Sequence, residues 1–144
     1  MSPEMRRRTV HDMVADARSR IEEIGVAELQ AELEAGATTV IDIRDVRERW
    51  NLGAIPGARS MPRGMLEFWF DPESPYYRAG LDMDARYVLH CAGGQRSALA
   101  AATLVDLGYR NVAHLDVGFN GWAAAGGAIE AVLPDPKYAR STAQ

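Results

Sequence analysis

The sequence predicts an α/β fold, a central, mostly parallel sheet with helices on both faces. Three observations predict it. Short apolar or β-branched runs alternate with helix-period segments from residue 21 to residue 125, and Gly or Pro punctuates the junctions. Parallel neighbours need a crossover, most often a helix, so this alternation points to a parallel sheet covered on both sides. At 144 residues and 47% apolar content, the chain has the size of one domain and enough material for a core.

The elements follow in order. Residues 9–20 read as an amphipathic helix with Val10, Met13, Val14 and Ala17 on one face. Ile21 to Ile24 reads as a short first strand. A helix follows over Val26 to Glu34, with Val26, Leu29, Ala31 and Leu33 as its apolar positions and Gly36 as its stop. Thr38 to Ile43 is a continuous β-branched run, the pattern of a strand buried on both faces. Val46 to Asn51 fits a short helix ended by Gly53. Ile55-Pro56-Gly57-Ala58 is a turn signal, with a short strand over Ala58 to Met61 and a helix over Gly64 to Phe70. Asp71 to Gly80 holds Pro72, Pro75 and Gly80 and reads as a surface loop. Tyr87 to His90 is a strand that runs straight into Cys91. Arg96 to Leu107 is the clearest helix, ended by Gly108. Val112 to Leu115 is a strand, and Gly118 to Ala125 a short helix closed by Gly126-Gly127. The expected organisation is a helical extension over 1–20, a folded domain over 21–133 and a tail over 134–144.

Composition excludes several function classes. The formal net charge is −4, so no basic face is expected for nucleic acid or an anionic membrane surface. Basic charge is almost all Arg, with Lys137 the one Lys. No run approaches the roughly 18 apolar residues of a membrane helix. Arg6, Arg7 and Arg8 precede no apolar stretch, so they read as a solvated tail rather than part of a secretory signal. The single cysteine rules out an internal disulfide or a cysteine-based zinc site and fits a reducing, cytoplasmic compartment.

The chemistry concentrates in His90-Cys91-Ala92-Gly93-Gly94-Gln95-Arg96-Ser97, between a strand and a strong helix. Two adjacent glycines let the backbone curl so that successive N–H groups point inward, and the helix start adds its positive end. Such a nest favours an anion. Cys91 at its edge is expected as a thiolate and nucleophile, and the same nest would hold a negatively charged persulfide.

The run Cys91-Ala92-Gly93-Gly94-Gln95-Arg96-Ser97 resembles the active-site loop of the rhodanese family, Cys-x-x-Gly-x-Arg-Ser/Thr. Three more segments are similar and stand in the family's order. Asp42-Ile43-Arg44 with Glu48 and Trp50 resembles its Asp-x-Arg segment. Gly53-Ala54-Ile55-Pro56-Gly57-Ala58 resembles Gly-His-Ile-Pro-Gly-Ala with Ala54 replacing His. Leu115-Asp116-Val117-Gly118-Phe119-Asn120-Gly121-Trp122 resembles Leu-x-Gly-Gly-x-x-x-Trp with Val117 replacing a Gly. Together they span roughly residues 21–130.

The resemblance implies a rhodanese-like single domain and a thiosulfate sulfurtransferase with no cofactor or metal. Cys91 would take a sulfane sulfur from thiosulfate or a similar small donor and pass it to a thiol or cyanide. The loop residues Ala92, Gly93, Gly94, Gln95, Arg96 and Ser97 would surround that sulfur. With no second Cys to resolve a persulfide, the acceptor must be external: glutathione, a dithiol, cyanide or a partner protein's thiol. The alternative is a rhodanese-like sulfur-carrier or binding module that acts only with a partner. A third reading is a phosphatase or arsenate reductase. Cysteine phosphatases use Cys-x5-Arg, whereas four residues separate Cys91 from Arg96 here, a loop sized for sulfur.

Other residues are weighed beside these. Arg96 either binds a sulfonate or braces the loop through a carboxylate. Ser97 reads more readily as a helix cap than as a donor to sulfur. Asp42, Arg44 and Glu48 read as a structural charge network. His90 reads as a buried, satisfied histidine facing away from Cys91, because successive strand residues face opposite sides. His11 and His114 show no partner in the sequence. Met65, Phe68, Trp69 and Phe70 read as core packing, with an aromatic rim as the alternative. Arg59 or Arg63 is a candidate for charge at the pocket mouth. The N-terminal helix either packs on its own domain or pairs across a homodimer.

Overall fold

The computed structural model describes residues 7–137. The Arg6-Arg7-Arg8 run and the end of the tail thus lie partly outside the described residues. Five strands form one parallel sheet in the order β1-β5-β4-β2-β3: β1 (Glu22–Ile24), β2 (Thr38–Asp42), β3 (Arg59–Ser60), β4 (Arg86–His90) and β5 (Val112–Leu115). All four strand pairings are parallel. The helices are α1 (Val10–Ser19), α2 (Val26–Ala35), α3 (Val46–Leu52), α4 (Leu66–Phe70), α5 (Gln95–Asp106) and α6 (Gly118–Ala124), with a 3₁₀ turn at Arg63–Met65.

Two cores flank the sheet. One holds Ile41, Leu89, Cys91, Ala101 and Leu104, with Phe70, Tyr87 and Tyr109 meeting edge to face. The other holds Val40, Val88, Ala113 and Leu115 against Leu29, Phe119 and Trp122. Neighbouring residues of β4 divide between the two, as the two-residue period of a strand demands. Being central, β4 is buried on both faces, and its carboxyl end is where a parallel sheet presents ligands.

A reciprocal box starts α1. Thr9 Oγ1 accepts from the Asp12 amide, and Asp12 accepts from the Thr9 amide. Ala17 is buried against Ala98 and Ala102, with Val14 and Leu99 beside them. This helix therefore packs on α5 of its own domain. Val10 and Met13, expected on the same apolar face, are exposed. The buried centre of the contact is three alanines, which lets the two helices approach closely.

Candidate active site

The chain leaves β4 at Cys91 and enters α5 through Ala92, Gly93 and Gly94. Gly94 caps the helix at φ 96°, in the left-handed region that favours glycine. A side chain there would also collide, because a Cβ would lie 2.1 Å from the Asp116 carbonyl oxygen. On the far side of the loop, the Phe119 amide donates to Cys91 O at 2.8 Å and the Asn120 amide to Ala92 O at 3.0 Å. In a planar trans peptide the C=O and the following N–H point opposite ways. Tying those carbonyls to α6 therefore turns the Ala92 and Gly93 amides toward the pocket.

Cys91 lies at the floor of a shallow pocket of about 260 Å³ lined by Cys91, Gly93, Gln95 and Arg96. The side chain is 1% exposed, yet its sulfur meets polar groups. The Gly94 amide donates to Sγ at 3.2 Å and the Ser97 amide at 3.4 Å, and Ser97 Oγ lies 3.5 Å away. Burial pushes the thiol pKa up. The Ser97 hydroxyl and amide and the Gly94 and Gly93 amides more than offset that, leaving Cys91 below the usual thiol value. The arrangement can stabilise a negative charge on this sulfur or on an atom bonded to it.

Arg96 stands at the rim. Its guanidinium makes a two-bond pair with Glu48, at 2.8 and 3.0 Å. Of the two roles open for Arg96, bracing is the one visible here. Glu48, expected in a charge network with Asp42 and Arg44, makes its hydrogen bonds with Arg96. Asp42 instead binds Arg44 through two bonds, of 3.0 and 2.8 Å, and Arg49 at 2.8 Å. Arg44 also reaches Gly53 O at 2.8 Å and stacks over Phe119. That cluster holds α3 and the turn after it against the sheet, on the face away from Cys91.

Ser97 does not cap α5, since Gly94 does; its hydroxyl points at Cys91 and at His114 Nδ1, 2.8 Å away. His90 faces away from the pocket and stacks on Phe119, as strand alternation requires. Its Nδ1 lies 3.1 Å from Cys91 O, while Nε2 has no hydrogen-bond partner among the described residues, with Asp42 Oδ2 3.7 Å away, so the ring is buried as expected but only half satisfied. Burial holds His90 below the ordinary imidazole pKa. Leu66 and Phe70 are core; Phe68 is exposed, and Trp69 lies under Arg78 rather than over Cys91. Arg63 pairs with Glu67 and reaches Thr103, away from the pocket. Glu23 and Arg49 carry no signal in the sequence, and His114, which shows no partner there, meets Ser97 and Glu23. Their partners come from other elements, so no local spacing signals them.

A family model described as Rhodanese-like domain matches residues 25–125. Thiosulfate sulfurtransferase GlpE of Pseudomonas fluorescens is 36% identical over 104 residues, which is 72% of this chain and 86% of that protein. The probable adenylyltransferase/sulfurtransferase MoeZ of Mycobacterium tuberculosis is 34% identical over 97 residues, 67% of this chain. The chain matches only 23% of MoeZ's length. Among solved structures, a Rhodopseudomonas palustris protein superposes with TM-score 0.82 and 45% identity, over 90% of this chain and 100% of that one. It is described as a protein of unknown function and a possible tyrosine phosphatase.

Proposed function

Because the chain belongs to the rhodanese-like domain family, we propose that it is a sulfurtransferase that carries a sulfane sulfur as a persulfide on Cys91. Relatives named sulfurtransferase support the reaction class. The observation that carries the reading is the pair of amides, Gly94 and Ser97, directed at Cys91 Sγ from the start of a twelve-residue helix.

The reaction balances simply. The Cys91 thiolate attacks the outer sulfur of thiosulfate, an S–S bond forms, the donor's S–S bond breaks, and sulfite leaves with the electron pair. The terminal sulfur of Cys91–S–S⁻ sits where the loop amides converge, including those of Ala92, Gly93 and Gln95. An acceptor thiolate or cyanide then attacks that sulfur and regenerates the Cys91 thiolate. Arg96 at the rim attracts the sulfonate end of the donor while Glu48 sets its direction. A thiol that must stay reduced between turnovers suits a reducing compartment. Small donors fit the shallow pocket, and its openness also admits a thiol from a partner protein.

A phosphatase is the second reading, favoured by the description of the R. palustris neighbour. Against it stands loop size, with four residues between Cys91 and Arg96. Intact mass after thiosulfate treatment separates the readings. The expected result is a gain of one sulfur atom, removed by cyanide and absent in Cys91→Ala. Loading without turnover until a partner protein is added would make the chain a carrier. Cys91-dependent hydrolysis of an aryl phosphate, with no sulfur gain, would overturn the proposal.

A further inference from the structure

Three side chains form an unbroken path away from Cys91. Its Sγ lies 3.5 Å from Ser97 Oγ; that oxygen lies 2.8 Å from His114 Nδ1; His114 Nε2 lies 2.8 Å from Glu23 Oε2. Ser97 and His114 are fully buried, whereas the Glu23 side chain is 35% exposed and lies 3.5 Å from Arg18 Nε. The path crosses four elements, α5, β5, β1 and α1. Glu23 and His114 are paired positions of the β1–β5 ladder, so sheet register itself brings them together.

Donor and acceptor chemistry sets the direction of each bond. A carboxylate only accepts, so His114 Nε2 carries the hydrogen toward Glu23, and Nδ1 of the neutral ring must accept. Ser97 therefore donates to Nδ1 and leaves a lone pair of Oγ facing the Cys91 thiol. Cys91, Ser97, His114 and Glu23 each have a partner along this path.

We propose that Ser97, His114 and Glu23 form a relay through which the Cys91 proton leaves the loop, with His114 a positioning residue that receives it by way of Ser97. The S–H bond breaks as a new Oγ–H bond forms, and the former Ser97 hydroxyl proton moves to His114 Nδ1. Cys91 ends as a thiolate and His114 as an imidazolium held by Glu23. No electrons are exchanged. Ser97 then donates to sulfur, adding its hydroxyl to the amides already aimed there. The relay rests on the Cys91 site proposed above but not on the identity of its substrate.

The charged groups facing His114 are Glu23 from β1, Arg18 from α1 and Asp116 after β5. Burial lowers the His114 pKa most, and Arg18 adds to that, against the pull of Glu23 and Asp116. The resting ring is thus neutral, as a proton acceptor must be. Glu23 and Arg18 precede the stretch matched by the family model, residues 25–125. The outer half of the relay is therefore supplied by the first strand and the N-terminal helix.

The test is the rate at which iodoacetamide alkylates Cys91 from pH 5 to 10, with Cys91→Ala as the blank. His114→Asn and Ser97→Ala are expected to raise the midpoint by about one pH unit, which near neutral pH is about tenfold slower alkylation. Glu23→Gln keeps an acceptor for Nε2 but removes the charge, and shifts the midpoint the same way by less. Ser97→Thr restores wild-type behaviour. A second measurement uses the unmutated protein: the ring ¹⁵N shifts of His114 should report the Nε2–H tautomer, and its pKa should rise when Cys91 carries a persulfide. Wild-type midpoints in folded His114→Asn and Glu23→Gln, or an Nδ1–H tautomer at rest, would overturn the relay. Alkylation needs no sulfur donor, so a chain that takes no sulfur still reports on the relay. Unshifted midpoints beside intact sulfur loading would sink the relay alone.

Discussion

Gly94→Ala tests the joint between fold and site. The residue sits at φ 96°, where an L side chain costs roughly 1–2 kcal/mol. Its Cβ would lie 2.1 Å from Asp116 O and 3.1 Å from Asp116 C. That carbonyl cannot easily retreat, because the Asp116 amide is bound to Ile24 O on β1 at 3.0 Å. Overlap of this kind costs about 1–3 kcal/mol in a packed interior, while the stiffer unfolded chain returns about 0.5 kcal/mol. The net loss is about 2–4 kcal/mol, or a fall in Tm of about 5–15 °C for a domain of this size. The same shift moves the Gly94 amide off Cys91 Sγ, so alkylation near neutral pH slows as well. Gly93→Ala is the control: a Cβ there meets nothing within 4 Å, and stability should stay within about 0.5 kcal/mol. Thermal unfolding and pH-dependent alkylation of both variants provide the readings. A Gly94→Ala protein that melts within 2 °C of wild type, a margin of about 1 kcal/mol, would refute the reasoning.

Further outcomes follow from the same geometry. Arg96→Ala should change stability by less than about 1 kcal/mol, because the Arg96 side chain is 44% exposed and an exposed pair contributes little. It should raise KM for thiosulfate about tenfold with a smaller change in kcat, measured as steady-state thiocyanate formation, since the sulfonate is bound before and during transfer. Stability should also fall in two stages on acidification. Burial depresses the folded pKa of His90 and His114, so the unfolded chain binds more protons below about pH 6.5, and stability present above that value is lost as pH falls. Asp42 is pushed up by burial but pulled further down by Arg44 and His90, so its contribution persists above about pH 4 and is lost below. Denaturant unfolding at pH 7, 6, 5, 4, 3 and 2 measures both stages, and an unchanged midpoint between pH 7 and 5 would contradict the first.

Much of the fold was legible because its signals are local. The run rich in β-branched residues at Thr38 to Ile43, the helix period after Arg96 and the Gly stops at Gly36, Gly53 and Gly108 each act within a few residues. The loop was legible for the same reason: curl, helix start and Cys91 are contiguous. Ser97 reads as a cap in the sequence, but Gly94, three residues earlier, already supplies the turn that starts the helix. Glu48 reads in the sequence as part of a charge network with Asp42 and Arg44, which names no hydrogen-bond partner for it. The actual guanidinium comes from Arg96, 48 positions away.

Taken alone, the order of residues determined the parallel architecture, the strand that delivers Cys91 and the inward-facing loop around it. It also determined that His90 turns from the pocket, since strand alternation needs no tertiary information. Only the tertiary structure decided what stands behind the sulfur. Glu23 meets His114 because β1 pairs with β5 in one particular register, and Ser97 meets His114 because α5 packs on β5. Register depends on how whole elements pack, and no short window of sequence carries it.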